Sequence, residues 1–495
     1  RRALPAKIGM ERAAHRPPNF LVIISDEHRK DALGCAWHPL VHTPHLDRLA
    51  ARGTRFTNAY TSSPMCVPTR AALACGDHVH RTGFWDSATP YDGSAATWMH
   101  RVRDAGHEMV SIGKLHFRSG EDDNGFSEEI LPMHVVGGVG WMAALLREDP
   151  PAYDAAAELA ADSGPGSSSY TDYDLAITAA ATDWIAARRN AERPWAAFVS
   201  LVSPHFPLRA PQEFYNLYAD ADFDLEPQQL PDHPEIRNLA RFFDYERHFT
   251  AETRHAAMAG YFGLTSFLDD CVGEILATLE ESGQAEDTVI LYLSDHGELL
   301  GDKGMWTKQV MYEASAGIPM ILAGPGVPDG IVRNTAASIV DVAATALDVM
   351  LDTSDDSAPG LSLRQLAQDP DDADRTVLCE YHDGGSTTGA FMVRWGDWKY
   401  VCYPGMPPQL FNLAEDPSED HDLGSDVSQR AAAARAEGAS RLAAICDADA
   451  VNRQCFADQA ARIEALGGID VCRNAHLFNH TPTPAEQAAM REDGR

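Results

Sequence analysis

One shape recurs along this sequence and limits what the chain can fold into: a short apolar run that stops on ionisable or turn residues. "NFLVIISDEH" ends in Asp26, Glu27 and His28. "HEMVSIGKLHF" ends in Lys114 and His116, "WAAFVSLVSPHFP" in His205, and "DTVILYLSDHGE" in Asp295 and His296. "IPMILAGPG" ends in a Gly-Pro turn. Continuous apolar runs of this length read as strands buried on both faces. Helical patterns lie between them, such as "TPHLDRLAARG", which starts at Thr43-Pro44 and stops at Gly53. The alternation predicts the α/β class, a mostly parallel sheet sandwiched by helices. Such sheets bind ligands beyond the carboxyl ends of their strands. Here those ends deliver ionisable side chains to one edge.

The pattern changes near Arg375. Residues 19–374 read as one catalytic domain and residues 375–424 as a smaller α+β subdomain of antiparallel strands. "TVLCEYH", "AFMVRWGDWKYVCYPG" and "PQLFNLAEDP" are its strands, with a turn at Gly396-Asp397. Residues 425–495 read as an Ala-rich helical tail that packs between subunits. Its end, "NHTPTPAEQAAMREDGR", is expected to be extended or clamped on a neighbour. Residues 1–18 carry arginines but no apolar stretch of a secretory signal, and read as a disordered or expression-derived extension. The segments 148–169 and "ADADFDLEPQQLPDHPE" read as loops over the sheet.

The formal net charge of −33 over 495 residues repels nucleic acid and anionic membranes. No apolar run approaches the ~20 residues that span a bilayer. A cytoplasmic protein with neither nucleic-acid nor membrane partners is expected. An anion site in so acidic a chain must carry its own local positive charge. The nine cysteines have no regular spacing and predict free thiols. Cys35, Cys75, Cys271, Cys379 and Cys402 are expected to be structural.

Asp26 and Asp295-His296 leave two different strands. Carboxylates and an imidazole meeting at one point suit a divalent cation. Glu27 is a further possible ligand. Arg70, Lys114, His116, His205 and Lys308 also lie at or just beyond element ends. Together with a metal they make a positive field that suits a tetrahedral oxyanion, sulfate or phosphate.

The run "SSPMCVPTRAALACG" then becomes informative. "CVPTR" resembles the sulfatase signature Cys-x-Pro-Ser/Thr-Arg. "GKLHF", "SPHFP", "SDHGELLGDKGMW", "KQVMYE" and "QLFNLAEDPSEDHDL" resemble further segments of that family, in order, from about residue 19 to 424. The resemblance implies an alkaline phosphatase-like fold and a sulfuric ester hydrolase. It implies that a formylglycine-generating maturation enzyme converts Cys66 to formylglycine. Asp26, Asp295, His296 and the modified Cys66 would ligate one divalent metal, Ca²⁺ or Mn²⁺. Arg70 would hold the hydrated aldehyde, and Lys114 and Lys308 the sulfate oxygens. His205 would protonate the leaving oxygen, and His116 would take the proton of the second hydroxyl. Departures from the pattern are Ala74-Cys75-Gly76 for the usual Leu-Thr-Gly, Glu27 for a second Asp, and His296 where Asn is common.

"RTGFWDSATPYDG" and "GKLHFRSGEDDNGF" resemble bacterial choline sulfatases and phosphonate monoester hydrolases, although choline sulfatases carry Asp-Asn where Asp86-Ser87 stands. Trp85, Asn124, His134, Trp141, His382 and Asp383 are candidates for lining the pocket. A small sulfate ester is the expected substrate. A phosphonate monoesterase or phosphodiesterase with the same machinery, and an inactive metal-bound scaffold with an unmodified Cys66, stay open. By the same resemblance a homodimer or homotetramer is expected.

Overall fold

The computed structural model describes residues 16–153, 155–476, 478 and 480–492. Residues 1–15 of the expected extension lie outside them. The main sheet is built from β1 (Asn19–Asp26), β2 (Gly53–Phe56), β3 (Glu108–Lys114) and β4 (Glu128–Met133). It continues with β5 (Trp195–Pro204), β6 (Thr288–Ser294), β7 (Met320–Ala323) and β8 (Ile331–Arg333). The order is β8-β2-β7-β6-β1-β5-β3-β4. β6, β1, β5 and β3 are neighbours and mutually parallel, so their carboxyl ends share one edge.

The alternation of side chains along β1 explains the two helical layers. Phe20, Val22 and Ile24 pack with Leu73, Trp98 and Val342 from helices on one face. Leu21 and Ile23 pack with Leu46, Ile177 and Leu268 on the other. All of these are buried. Truncating Ile24 to alanine would cost about 2–5 kcal/mol.

β7 departs from the parallel pattern. It runs antiparallel to both β6 and β2. Parallel return needs a crossover of a dozen or more residues, usually a helix. Between Ser294 and Met320 stand only the 3-10 turn Asp302–Gly304 and the four-residue helix Glu313–Ala316. The chain therefore re-enters the sheet from the edge it left.

The strands Val377–Tyr381, Ala390–Trp395, Trp398–Cys402 and Gln409–Asn412 form an antiparallel meander, with Gly396 at φ +44 in the predicted turn. Helices Gln429–Ile445, Ala448–Ala465, Ile469–Asn474 and Pro484–Glu492 follow. The last corrects the expectation of an extended end. Glu486 accepts from the backbone N–H of Thr483 at 2.7 Å, a helix-start signal of Thr-x-x-Glu type. This segment is fastened to its own chain: Gln487 donates to the His134 carbonyl at 3.1 Å, and Tyr170 to that of Thr481 at 2.8 Å. The segment expected to be a loop at 148–169 contains the helix Ala156–Ala161. No helix of the described residues is long and apolar enough to cross a membrane.

Candidate active site

Cys66 opens the helix Cys66–Cys75, which is buried through Ala74 and ends where Gly76 takes φ +67. Its first turn faces the shared sheet edge. There the Cys66 sulfur lies 3.1 Å from His296 Nε2 and 3.6 Å from Asp26 Oδ1. One turn on, Arg70 is buried and donates from Nη2 to Asp26 Oδ2 at 3.0 Å and from Nε to Asp295 Oδ2 at 2.9 Å. Its Nη1 is satisfied by the Lys114 carbonyl and the Ser200 hydroxyl, each at 2.9 Å. The guanidinium fork takes one oxygen of each carboxylate. The other oxygens, both Oδ1, lie 3.7 and 3.6 Å from His296 Nε2.

His296 donates from Nδ1 to the Gly297 carbonyl at 3.0 Å. That bond selects the tautomer with a free lone pair on Nε2, as a metal-ligating imidazole requires. Donor atoms of Asp26, Cys66, Asp295 and His296 all lie within 4.8 Å of one another and are buried. Two carboxylate oxygens and an imidazole nitrogen fit a divalent cation, with the Cys66 sulfur standing where an oxygen of the modified residue would be.

The strand ends bring in the remaining charges. Lys114 Nζ sits 2.6 Å from Asp26 Oδ2. Its aim depends on Gly113, at φ +101, where a Cβ would meet the Ser200 carbonyl oxygen at 2.3 Å. Lys308 Nζ donates to Glu27 Oε2 at 3.0 Å and approaches His205 Nε2 at 3.2 Å. Glu27 thus pairs with Lys308 and lies 3.3 Å from His205, and its donor atoms, with those of His205 and Asp26, form a second group within 4.8 Å of one another. His205 donates from Nδ1 to the Phe206 carbonyl at 2.7 Å. Neither ring nitrogen of the buried His116 has a hydrogen-bond partner among the described residues.

The protonation states follow from this packing. Burial alone would raise the Asp26 carboxyl, yet Lys114 and Arg70 hold it well below the usual range. Burial, then Lys308, push His205 well below the usual imidazole range; burial, then Lys114 and Arg70, do the same to His116. Burial, and then the Asp26 carboxylate, drive the Cys66 thiol far up. Without a metal ion, an unmodified Cys66 is therefore a neutral, poor nucleophile. The carboxylates Asp26 and Asp295 are formally balanced by Arg70 and Lys114, while burial raises the Glu27 carboxyl well above the usual range against the pull of Lys308. A divalent cation would leave the site a net cation, ready for an anion.

Above this floor is a cavity of about 130 Å³ reached by Cys66, Lys114, His116, His205 and Lys308. Trp141, Tyr153, Tyr170, Phe243, Tyr245 and Phe478 form its walls. A larger groove, about 1330 Å³, opens elsewhere, between Lys30 and Arg394. Charges lining it neutralise each other, as in Arg29–Asp302 at 2.8 Å and Lys303–Asp420 at 2.6 Å. The smaller cavity is the one lined by Cys66, Lys114, His116, His205 and Lys308.

Of the expected lining residues, Trp141 is in the wall. The others are engaged elsewhere. Trp85 packs on His382 and donates to Asp458 at 3.0 Å. Asn124 and His134 bind Glu129 at 2.8 and 3.0 Å. His382 contacts Glu380, and Asp383 accepts from Ser87. Sequence reasoning missed Tyr153, Tyr170, Tyr245 and Phe478, and also Ser200, which supports Arg70. A serine inside the otherwise apolar run "AAFVSLV" was the available signal for Ser200.

A mixed sheet with helices on both faces, a small antiparallel C-terminal sheet and a buried cluster of charged groups at the strand ends define an alkaline phosphatase-like fold. The phosphonate monoester hydrolase of Agrobacterium radiobacter shares it, with a TM-score of 0.72 and 23% identity over 88% of this chain and 96% of that one. The chain belongs to the sulfatase family, whose profile matches residues 18–353. A profile described as N-sulphoglucosamine sulphohydrolase, C-terminal, matches residues 301–441. A choline-sulfatase of Rhizobium meliloti (strain 1021) is 32% identical over 83% of each chain. Arylsulfatase K of Danio rerio is 29% identical over 84% of this chain and 82% of its own.

Proposed function

We propose that this protein hydrolyses a small sulfate monoester through a formylglycine made from Cys66, with a divalent metal held by Asp26, Asp295 and His296. The observation that carries the reading is the placement of Cys66. Its sulfur lies beside His296 Nε2 and Asp26 Oδ1, at a helix amino terminus, between buried cations. A structural thiol needs none of these neighbours.

Formylglycine supplies a hydrated aldehyde, one hydroxyl to attack sulfur and a second whose deprotonation expels sulfate by C–O cleavage. A bound divalent ion supplies Lewis acidity toward sulfate oxygen and the attacking hydroxyl. The chain's own groups do the rest. Arg70 orients the two metal-facing carboxylates. Lys114 and Lys308 draw in the ester's negative charge and neutralise what builds on its oxygens. His205 rests neutral, with Nε2 toward Lys308. A bound anion engages Lys308 and favours a proton on Nε2, which His205 then gives to the leaving alcohol. His116, neutral and with both nitrogens free of partners, accepts the proton of the second hydroxyl.

The small cavity supports a small alcohol as leaving group, and its aromatic wall an apolar or cationic one. The choline-sulfatase relative supports the same class. Phosphonate monoesters and phosphate diesters carry the same single charge on a tetrahedral frame, so lower activity on them accompanies the main one. Because Cys66 is buried, its conversion by the maturation enzyme belongs before the chain closes.

The test is the mass of the Cys66 peptide in protein co-produced with a maturation enzyme, alongside turnover of matched sulfate and phosphate esters. An aldehyde at Cys66, sulfate ester turnover and its loss in a folded Cys66→Ala variant are expected. A thiol with no ester turned over overturns the reading. A higher kcat/KM on the phosphate esters makes the protein a phosphoryl hydrolase instead.

A further inference from the structure

The reacting groups come from the catalytic sheet, but the aromatic wall above them leans on a different part of the chain. The loop 382–389 joins the first two strands of the C-terminal meander. Asp383 Oδ2 accepts from both the backbone N–H and the hydroxyl of Ser87, at 2.8 and 2.6 Å. The Ser87 carbonyl in turn accepts from the backbone N–H of Trp141 at 3.1 Å. The next residue, Gly384, lies flat against the Trp141 ring. A Cβ there would stand 2.5 Å from Cη2 and 2.7 Å from Cζ3. Behind it Gly385, at φ +79, makes the same close approach to Phe242, 2.4 Å to Cδ1. Trp141, Tyr153 and Phe243 form one ring cluster, with centroids 5.1–6.4 Å apart.

The loop is itself held from several sides. Arg147 donates to the Ser386 carbonyl at 3.1 Å, Asn238 to that of Gly385 at 2.7 Å, and Gln459 to that of His382 at 2.9 Å. Glu235 accepts from the Thr387 backbone at 2.7 Å. A loop tied to that many elements has one conformation, and the ring it supports has one position.

We propose that this loop sets the width of the leaving-group pocket, with Gly384 as the specificity-determining position and Asp383 as a positioning residue acting through Ser87. The inference rests on the reading of the cavity as a sulfate ester site. A methyl group at Gly384 cannot coexist with the Trp141 ring where it stands, so the ring must shift into or out of the cavity. The anion floor of Lys114 and Lys308 is untouched by that shift.

Binding of methanesulfonate and benzenesulfonate, which have no ester bond to hydrolyse, tests this by calorimetry on the full chain. Gly384→Ala is expected to change the ratio of the two Kd values tenfold or more, with the methanesulfonate Kd moving less than twofold. Adding Trp141→Phe removes the two ring atoms nearest the new methyl and is expected to bring the ratio at least halfway back to that of Trp141→Phe alone. Asp383→Asn is a second, milder variant should Gly384→Ala fail to fold, with an expected threefold change in the same ratio. An unchanged ratio, an equal change for both sulfonates, or no recovery with Trp141→Phe overturns the proposal. Failure of either sulfonate to bind the unmodified protein also overturns it. The functional reading is judged separately, by ester turnover in that protein.

Discussion

Arg70 and Asp26 meet through a single charge-assisted bond, Nη2 to Oδ2 at 3.0 Å, with both side chains buried. The same guanidinium holds Asp295, so one arginine from the signature helix keeps two acids from different strands at a fixed spacing. The helix and the sheet edge therefore form one rigid site.

Removing that fork takes the guanidinium from buried Asp295 and leaves Asp26 with Lys114 as its one remaining close lysine or arginine. Arg70→Met is expected to lose about 3–5 kcal/mol of stability without added metal. Ca²⁺ or Mn²⁺ should return part of it, because a divalent ion replaces the missing positive charge. Thermal melting with chelator and with each metal measures both effects. A variant as stable as the parent in chelator would show that Arg70 does not hold the pair.

Lys308 bridges Glu27 and His205 at 3.0 and 3.2 Å. Losing one charge-assisted hydrogen bond to the substrate is worth about 1.5–3 kcal/mol. Lys308→Ala should therefore lower kcat/KM for sulfate esters by roughly ten- to a hundredfold or more. Inhibition by inorganic sulfate should weaken in parallel, since the same ammonium binds the product. Steady-state kinetics with sulfate as inhibitor decides it, and an unchanged inhibition constant would remove Lys308 from the anion site.

Gly113→Ala places a Cβ 2.3 Å from the Ser200 carbonyl oxygen at φ +101. The strain falls on the residue before Lys114 and on the strand that carries Ser200. A loss of about 1–3 kcal/mol is expected from the backbone conformation alone, with a larger fractional loss of kcat/KM than Glu108→Ala at the other end of β3. Urea denaturation and kinetics on both variants make the comparison.

Asp269 accepts backbone N–H bonds from His45 and Leu46 at 3.0 and 2.8 Å, at the start of the helix Pro44–Ala51. Burial, working against those two bonds, pushes its carboxyl up to about 7. A folded-state pKa above the unfolded value stabilises at low pH and is lost as pH rises. Relative to Asp269→Asn, the parent should lose melting temperature steadily between about pH 4 and 7. A pH-independent difference would contradict the assignment.

The reactive half of the site was legible in the sequence. Asp26, Lys114, His205 and Asp295 stand at or next to the ends of apolar runs, and parallel neighbours must place such ends on one edge. Cys66 and Arg70 are one helical turn apart, so a helix there presents both to the same point. These relations depend on local periodicity, and periodicity is written in the residues themselves.

Apart from Trp141 the pocket wall was not legible, nor was the reversal of β7. Trp85 is the same kind of residue as Trp141, yet it, like Asn124, His134, His382 and Asp383, turns to partners away from the cavity. Phe478 reaches the wall from near the end of the chain, and Gly384 supports it from the C-terminal sheet. Loop side chains take their direction from whatever packs around them, and those contacts join segments hundreds of residues apart. Chain order alone determined which ionisable residues reach the sheet edge; long-range packing decided the shape of the space above them.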